Sequence, residues 1–249
     1  MMLRDKVALV TGAGGEIGRA AALLFSAEGA QVVVSDLSAE AAHETVRLIT
    51  SAGGAALALV ADITDRAAVQ AMVDQAVAHF GRLDCAFNNA GINLTRDAEW
   101  DIEAFDKSLT INASGTMYCM TAQAQAMMRS GGGTIVNNAS VMGLVGSTRQ
   151  PGYAASKHAV IGLTRTAALR WAKDKVRVNA VCPGAVRTAM TDAAMAHSPE
   201  IRARLLAMSP MGRLAEPGEI AEAALWLCTS RSNFVNGVAL AIDGGFTAG

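Results

Sequence analysis

Short runs rich in valine, isoleucine, leucine and alanine recur along the chain, each followed by a longer stretch whose apolar residues return every three or four positions. The runs predict strands at residues 6–10, 31–35, 56–61, 84–87, 134–138, 176–181 and 238–242. They are continuously apolar rather than alternating, as strands covered on both faces of a parallel sheet should be. The longer stretches predict helices at residues 17–28, 39–52, 66–79, 154–171 and 218–228. Gly29, Gly53, Gly54, Gly81 and residues 131–133 follow helical stretches, where a left-handed cap favours glycine. A strand–helix rhythm repeated through seven strands implies an α/β fold, with a doubly wound seven-stranded parallel sheet and helices on both faces.

The 249 residues reach the upper limit for one hydrophobic core, and no linker or repeat divides them, so a single domain over 1–249 is expected. Residues 188–212 are longer than an ordinary connection and carry several methionines, which marks them as a substrate lid. With 51% apolar and 17% charged residues the chain is a folding one, and 21 basic against 22 acidic residues leave no footprint for nucleic acid. Charges at Arg4, Asp5 and Lys6 occupy the place of a leader's apolar stretch, which points to a cytoplasmic protein. The segment 108–148 holds one charge, Arg129, yet its scattered Asn, Gln, Ser and Thr make it a buried segment rather than a membrane span. Cys85, Cys119, Cys182 and Cys228 are far apart and read as reduced core thiols. The four histidines form no ligand spacing, so no metal is expected.

Chemistry concentrates where strands end. The first strand runs into Thr11-Gly12-Ala13-Gly14-Gly15-Glu16-Ile17-Gly18 and then a helix, so backbone N–H groups and the helix N-terminus can approach a pyrophosphate. The second ends at Asp36, where a carboxylate can accept hydrogen bonds from both hydroxyls of an adenosine ribose. Together they point to a dinucleotide. Tyr153 and Lys157 stand four residues apart after a helix-starting Pro151, so both can face one cleft.

Further pieces join these: Asp62-Ile63-Thr64, Asn88-Asn89-Ala90-Gly91, Ser140, Tyr153-Ala154-Ala155-Ser156-Lys157, Val178-Asn179-Ala180-Val181-Cys182-Pro183-Gly184, Arg213-Leu214-Ala215-Glu216-Pro217-Gly218 and Asp243-Gly244-Gly245. In this order they resemble the short-chain dehydrogenase/reductase family, of its compact type of about 250 residues, over essentially the whole chain. The resemblance implies a Rossmann domain, NAD as cofactor, and a catalytic tetrad of Asn112, Ser140, Tyr153 and Lys157. Tyr153 would exchange a proton with the substrate, Ser140 would hydrogen-bond its oxygen, Lys157 would hold the nicotinamide ribose and favour the phenolate, and Asn112 would position a water. It assigns Gly12, Gly15, Ile17 and Gly18 to the pyrophosphate end and Asp36 to the ribose. Asp62 and Ile63 go to the adenine, with Asn89, Ala90 and Gly91 nearby, and Pro183, Gly184, Val186 and Thr188 to the carboxamide or phosphates. Ile92, Asn93, Val141, Met142, Leu144, Gln150 and the lid would line the substrate pocket.

Two positions depart from the family pattern. Glu16 stands where a middle glycine is usual, and Asn138-Ala139 precedes the serine in place of Ile-Ser. A carboxylate beside a pyrophosphate is repelled, so Glu16 should turn toward solvent or the 188–212 segment and leave the close approach to Gly14 and Gly15. The reaction expected is the interconversion of a secondary alcohol, apolar or alicyclic, and its ketone. The alternatives are an NADPH-dependent reductase of 3-oxoacyl thioesters, which Asp36 opposes, and a dinucleotide-sensing protein without turnover. The resemblance, together with the apolar stretches 108–128 and 154–171, implies a homotetramer.

Overall fold

Burial on both faces explains the uninterrupted apolar strands. In the computed structural model, which describes residues 1–94 and 100–249, β1 (Val7–Thr11), β2 (Gln31–Asp36), β3 (Ala56–Val60), β4 (Cys85–Asn88), β5 (Gly133–Asn138), β6 (Val176–Pro183) and β7 (Ala239–Ile242) form one sheet. Its order is β3-β2-β1-β4-β5-β6-β7 with every pairing parallel. Alternate residues of each strand serve opposite cores. Ala8, Val10, Val32, Val34 and Phe87 meet α1 (Glu16–Ala27) and α9 (Pro217–Cys228) through Ala21, Phe25, Ile220 and Leu225. Val7, Leu9, Val33, Ala86 and Ile135 meet α3 (Arg66–Phe80), α5 (Thr116–Arg129) and α6 (Pro151–Trp171) through Met72, Val73, Met127 and Ala168. The chain winds outward from β1 to β3 and then returns to β4, so a crevice opens between β1 and β4 at their carboxyl ends.

The expected helices are present, with α2 (Ala39–Ser51) following β2. Their ends follow local chemistry: Asp65 accepts hydrogen bonds from the N–H groups of Ala67 and Ala68 at the start of α3, and Gly81 ends it at φ +82°. The first strand lies one residue later than the apolar pattern suggested, and the sixth runs on to Pro183. A helix the periodicity did not announce, α4 (Ile102–Ser108), is capped by Asp101 and continues through a π-helical stretch, Leu109–Gly115, into α5. Eight of the fourteen residues of α5 are buried, too many for one apolar stripe to show in sequence. Residues 188–212 contain α7 (Ala189–His197) and α8 (Pro199–Ala207).

Polar side chains also cross the core beneath the crevice. Asn88 Nδ2 donates to Gln123 Oε1 and to Asn137 Oδ1 (3.0 Å each), Gln123 Nε2 donates to Asn88 Oδ1 (2.7 Å), and Asn137 Nδ2 donates to Thr164 Oγ1 (2.9 Å). All four residues are buried. The network ties β4 and β5 to α5 and α6, and each member depends on the others because water cannot replace a lost partner. Asn137→Leu removes one bond each from Asn88 and Thr164, which keep Gln123 and the Val160 carbonyl as partners, and is expected to cost about 1–2 kcal/mol, read as a lower urea midpoint at an unchanged slope.

Candidate active site

The crevice is built by backbone approach. Gly12 lies at φ +62°, and a Cβ there would stand 2.8 Å from Ala90 Cα and 3.1 Å from Asn89 Nδ2. A Cβ on Gly18 would run into the Gly12 carbonyl, so that glycine lets α1 close onto its own turn. From the facing loop Asn89 Nδ2 donates to the carbonyls of Thr11 (3.2 Å) and Gly12 (3.0 Å), and Thr11 Oγ1 accepts from the N–H groups of Asn89 and Ala90 (3.1 Å each). Asp36 closes the far end: its Oδ2 accepts from Gly14 N–H (2.9 Å) and its Oδ1 from Ser38 N–H (3.0 Å). Asp62 is turned into its own loop by Thr64, whose N–H (2.8 Å) and hydroxyl (2.7 Å) hold that carboxyl below the usual range.

The tetrad residues gather at the end of β5. Lys157, 5% exposed, donates from Nζ to the Asn138 carbonyl (2.7 Å) and lies 5.5 Å from the centre of the Tyr153 ring. Burial pulls its ammonium down to about 8, against a smaller upward pull from Cys182. Burial pushes the Tyr153 phenol up, and the Ser140 hydroxyl acts in the opposite sense. Ser140 is buried and its Oγ accepts from Met142 N–H (3.1 Å). Asn112, within the π-helical stretch, is a clamp: Oδ1 accepts from Ile92 N–H (2.8 Å), while Nδ2 donates to the Ile92 carbonyl (2.9 Å) and to Ser156 Oγ (3.0 Å).

These groups border a cavity of about 1370 Å³ lined by Gly12, Gly15, Ile17, Asp36, Asp62, Ile63, Asn89, Ala90, Gly91, Ser140, Tyr153, Lys157, Pro183, Gly184, Val186 and Thr188. Gly18 and Asn112 support its wall from behind. Ser35, Leu37 and Ala41 around Asp36, Asn138 and Ala139 before Ser140, and Asp106 and Lys107 of α4 also line it. The sequence places Ser35 and Leu37 beside Asp36 and marks Asn138-Ala139 only as a departure in pattern; it does not announce Ala41, Asp106 and Lys107, and only the Asp101 cap could have signalled α4. A second cavity of about 950 Å³ shares Asn93, Ser140, Tyr153, Gly184, Val186 and Thr191 with the first and continues to Val141, Met142, Gln150 and Met208. Ile92 borders the first cavity, and Leu144 packs instead against the cluster of Ala139, Val160 and Ile161. Among the described residues, two buried side-chain oxygens lack any partner, Ser35 Oγ and Asn138 Oδ1, and both residues line the larger cavity. Unspent acceptors beside a glycine turn and a carboxylate fit a dinucleotide with its many hydroxyl and amide donors.

Glu16 is turned as expected: its Oε1 accepts from Ala189 N–H at the start of α7 (2.8 Å), bridging the glycine turn to the 188–212 segment. Thr188 and Thr191 complete that helix end, with Thr188 N–H donating to Thr191 Oγ1 (2.7 Å) and Thr191 N–H to Thr188 Oγ1 (3.2 Å). Among the described residues no three His, Cys, Asp or Glu side chains are grouped to hold a metal, and the four cysteines are free and buried. No described helix is long and apolar enough to cross a membrane.

A family profile described as enoyl-(acyl carrier protein) reductase matches residues 12–247. The chain is 45% identical to the 2,5-dichloro-2,5-cyclohexadiene-1,4-diol dehydrogenase of Sphingobium indicum, over 99% of this chain and 98% of that one. It is 39% identical to the cyclohexanol dehydrogenase of an Acinetobacter species, over 98% and 96%. The crystal structure of levodione reductase superposes with a TM-score of 0.92 at 36% identity, covering 99% of both chains.

Replacing Glu16 by glycine removes the acceptor of the Ala189 N–H. That amide is expected to exchange with deuterium about five- to tenfold faster, as suits the loss of one charge-assisted bond near the surface.

Proposed function

The chain belongs to the short-chain dehydrogenase/reductase family, and from that premise we propose that it is an NAD-dependent dehydrogenase interconverting an alicyclic secondary alcohol and its ketone. One observation carries the reading: Ser140 and Tyr153 line both cavities, so the proton-transfer groups stand where a substrate in the smaller space meets a cofactor in the larger. The ring alcohols named for two similar dehydrogenases support the substrate class.

In oxidation the Tyr153 oxygen removes the hydroxyl proton, and Ser140 donates a hydrogen bond to the oxygen that becomes the carbonyl. A nicotinamide dinucleotide held by the glycine turn, Asp36 and Lys157 would supply the hydride acceptor. A buried phenol is a poor base on its own, and the Lys157 ammonium beside the ring favours its phenolate. Lys157 is also assigned the nicotinamide ribose. The Asn112 side chain, spent on Ile92 and Ser156, holds the loop after β4 in register with α6. Any relay water would therefore meet its remaining lone pair or its backbone carbonyl. In reduction Tyr153 returns the proton. Residues 188–212 serve as the lid, Glu16 being its tie to the cofactor turn. A homotetramer is proposed as well; exposed Met117 on α5 and Leu169 on α6 lie in the stretches expected to form it.

NAD is favoured over NADP because Ser35, Leu37, Gly14 and Ala41 beside Asp36 offer no cation. Arg19, one turn into α1, donates from Nε to Thr45 Oγ1 instead (3.0 Å). A 2′-phosphate about 4 Å from the Asp36 carboxylate is repelled by about 4 kcal/mol at an effective dielectric of about 20. A 3-oxoacyl-[acyl-carrier-protein] reductase of Thermotoga maritima that is 39% identical favours a second reading, NADPH-dependent reduction of a 3-oxoacyl thioester, and NADPH would meet that same repulsion.

Assays of cyclic alcohols, cyclic ketones and 3-oxoacyl thioesters with both cofactors test the proposal. Ring alcohols with NAD are expected to be oxidised, with kcat/KM at least about a hundredfold above that with NADP at low salt. Comparable efficiency with NADP, or turnover confined to thioesters, would overturn it. Tyr153→Phe keeps the ring and loses the proton-transfer group, so kcat is expected to fall at least about a hundredfold while NAD binding, followed by calorimetry, changes little.

A further inference from the structure

The smaller cavity carries a charge pattern that oxidation of a neutral alcohol does not use. Its wall is apolar at Val141, Met142, Leu205, Met208 and Phe246, its described lining contains no Asp or Glu, and it contains two arginines. Arg149 precedes α6 by two residues, and Arg204 lies on α8. Neither makes an ion pair with a described residue, whereas Arg187 is paired to Glu216 (3.0 Å) and Asp192 (3.5 Å), and Arg213 to Glu219 (2.7 Å).

Arg204 has a partner within reach by sequence that it does not take. Glu200 sits four residues before it on the same helix, the spacing that suits a Glu–Arg pair. The Glu200 carboxylate is instead engaged by the Ser198 hydroxyl (2.7 Å) at the helix start. Two exposed cations from different elements thus border one chamber whose described lining holds no acidic side chain. Such a space concentrates field from the arginines and attracts an anion of matching size, and the planar guanidinium suits a carboxylate best.

We propose that the preferred substrate is an alicyclic alcohol bearing a carboxylate on a ring carbon remote from the hydroxyl. Arg149 and Arg204 bind the carboxylate, the apolar wall covers the ring, and the hydroxyl meets Tyr153 and Ser140. The proposal rests on the dehydrogenase reading above and leaves its chemistry unchanged. The carbinol C–H bond breaks as hydride passes to NAD, the O–H proton passes to Tyr153, and the carboxylate takes no part.

The cis and trans isomers of 2-, 3- and 4-hydroxycyclohexanecarboxylate, each against its neutral carboxamide, test it in steady-state oxidation with NAD. At least one carboxylate is expected to exceed its amide about tenfold or more in kcat/KM, with the difference in KM and shrinking as salt is added. In Arg149→Gln/Arg204→Gln that ratio is expected to fall to about one, with the melting temperature serving as the check on folding. Ratios near one for every isomer in the unaltered enzyme, or a preference that survives in the double variant, would overturn the carboxylate assignment while leaving the dehydrogenase intact. Absence of turnover with acids, amides and cyclohexanol alike would remove the dehydrogenase reading and this inference with it.

Discussion

A lysine ammonium sealed inside the protein is the constraint around which this site is arranged. Lys157 has no carboxylate partner among the described residues, and its recorded hydrogen bond goes to the carbonyl of Asn138, the last residue of β5. Desolvation weakens its hold on a proton and brings it to about 8, so small changes in its surroundings decide its charge near neutral pH. Everything near it respects that. A Cβ on Gly91 would lie 3.0 Å from Asn112 Oδ1, so the glycine lets Asn112 close on this loop and hold the backbone N–H and carbonyl of Ile92 through its two polar groups. A cation kept this way is available to the neighbouring phenol, because no fixed anion among the described residues competes for it.

The sheet makes such a site affordable. Strands buried on two faces hold the ends of β1, β4, β5 and β6 within one rigid frame, and the loops that follow them carry the chemistry. Below the crevice the Asn88, Gln123, Asn137 and Thr164 network gives the frame a single register, because a slip of one residue would leave amides buried without partners. At the amino ends of β1 and β4 Asp84 accepts from Arg82, Lys6 and the Val7 N–H. Burial works to raise its carboxyl, and these partners outweigh it and hold it below the usual range. That carboxylate therefore stabilises the fold at neutral pH and loses its contribution only as the pH falls through its depressed value.

Glu16 shows how one departure from the family pattern is accommodated. A carboxylate at a helix N-terminus complements the local dipole, but that same terminus faces the cofactor cavity. The side chain resolves the conflict by reaching across to a second helix N-terminus, that of α7, where an N–H is unspent. A position usually given to glycine becomes the joint between the glycine turn and the 188–212 segment.

The α/β rhythm, the doubly wound sheet, the glycine turn, Asp36 and the Tyr153–Lys157 pair were legible because each depends on chemistry local to a strand end or a helix face. Periodicity and spacing record such chemistry directly. What depended on contacts between distant segments was not legible. The helix α4 and the cavity-lining roles of Asn138 and Lys107 arise from packing several elements together. The direction of Glu16 was legible, but its partner, an N–H 173 residues away, was not, and Arg149 and Arg204 border one chamber only because α8 returns over the loop before α6. Sequence determined which local structures and reactive groups the chain possesses. Tertiary structure alone decided which charges are neutralised and which are left facing a cavity, because Coulomb and hydrogen-bond energies depend on distance and burial in space, not on separation along the chain.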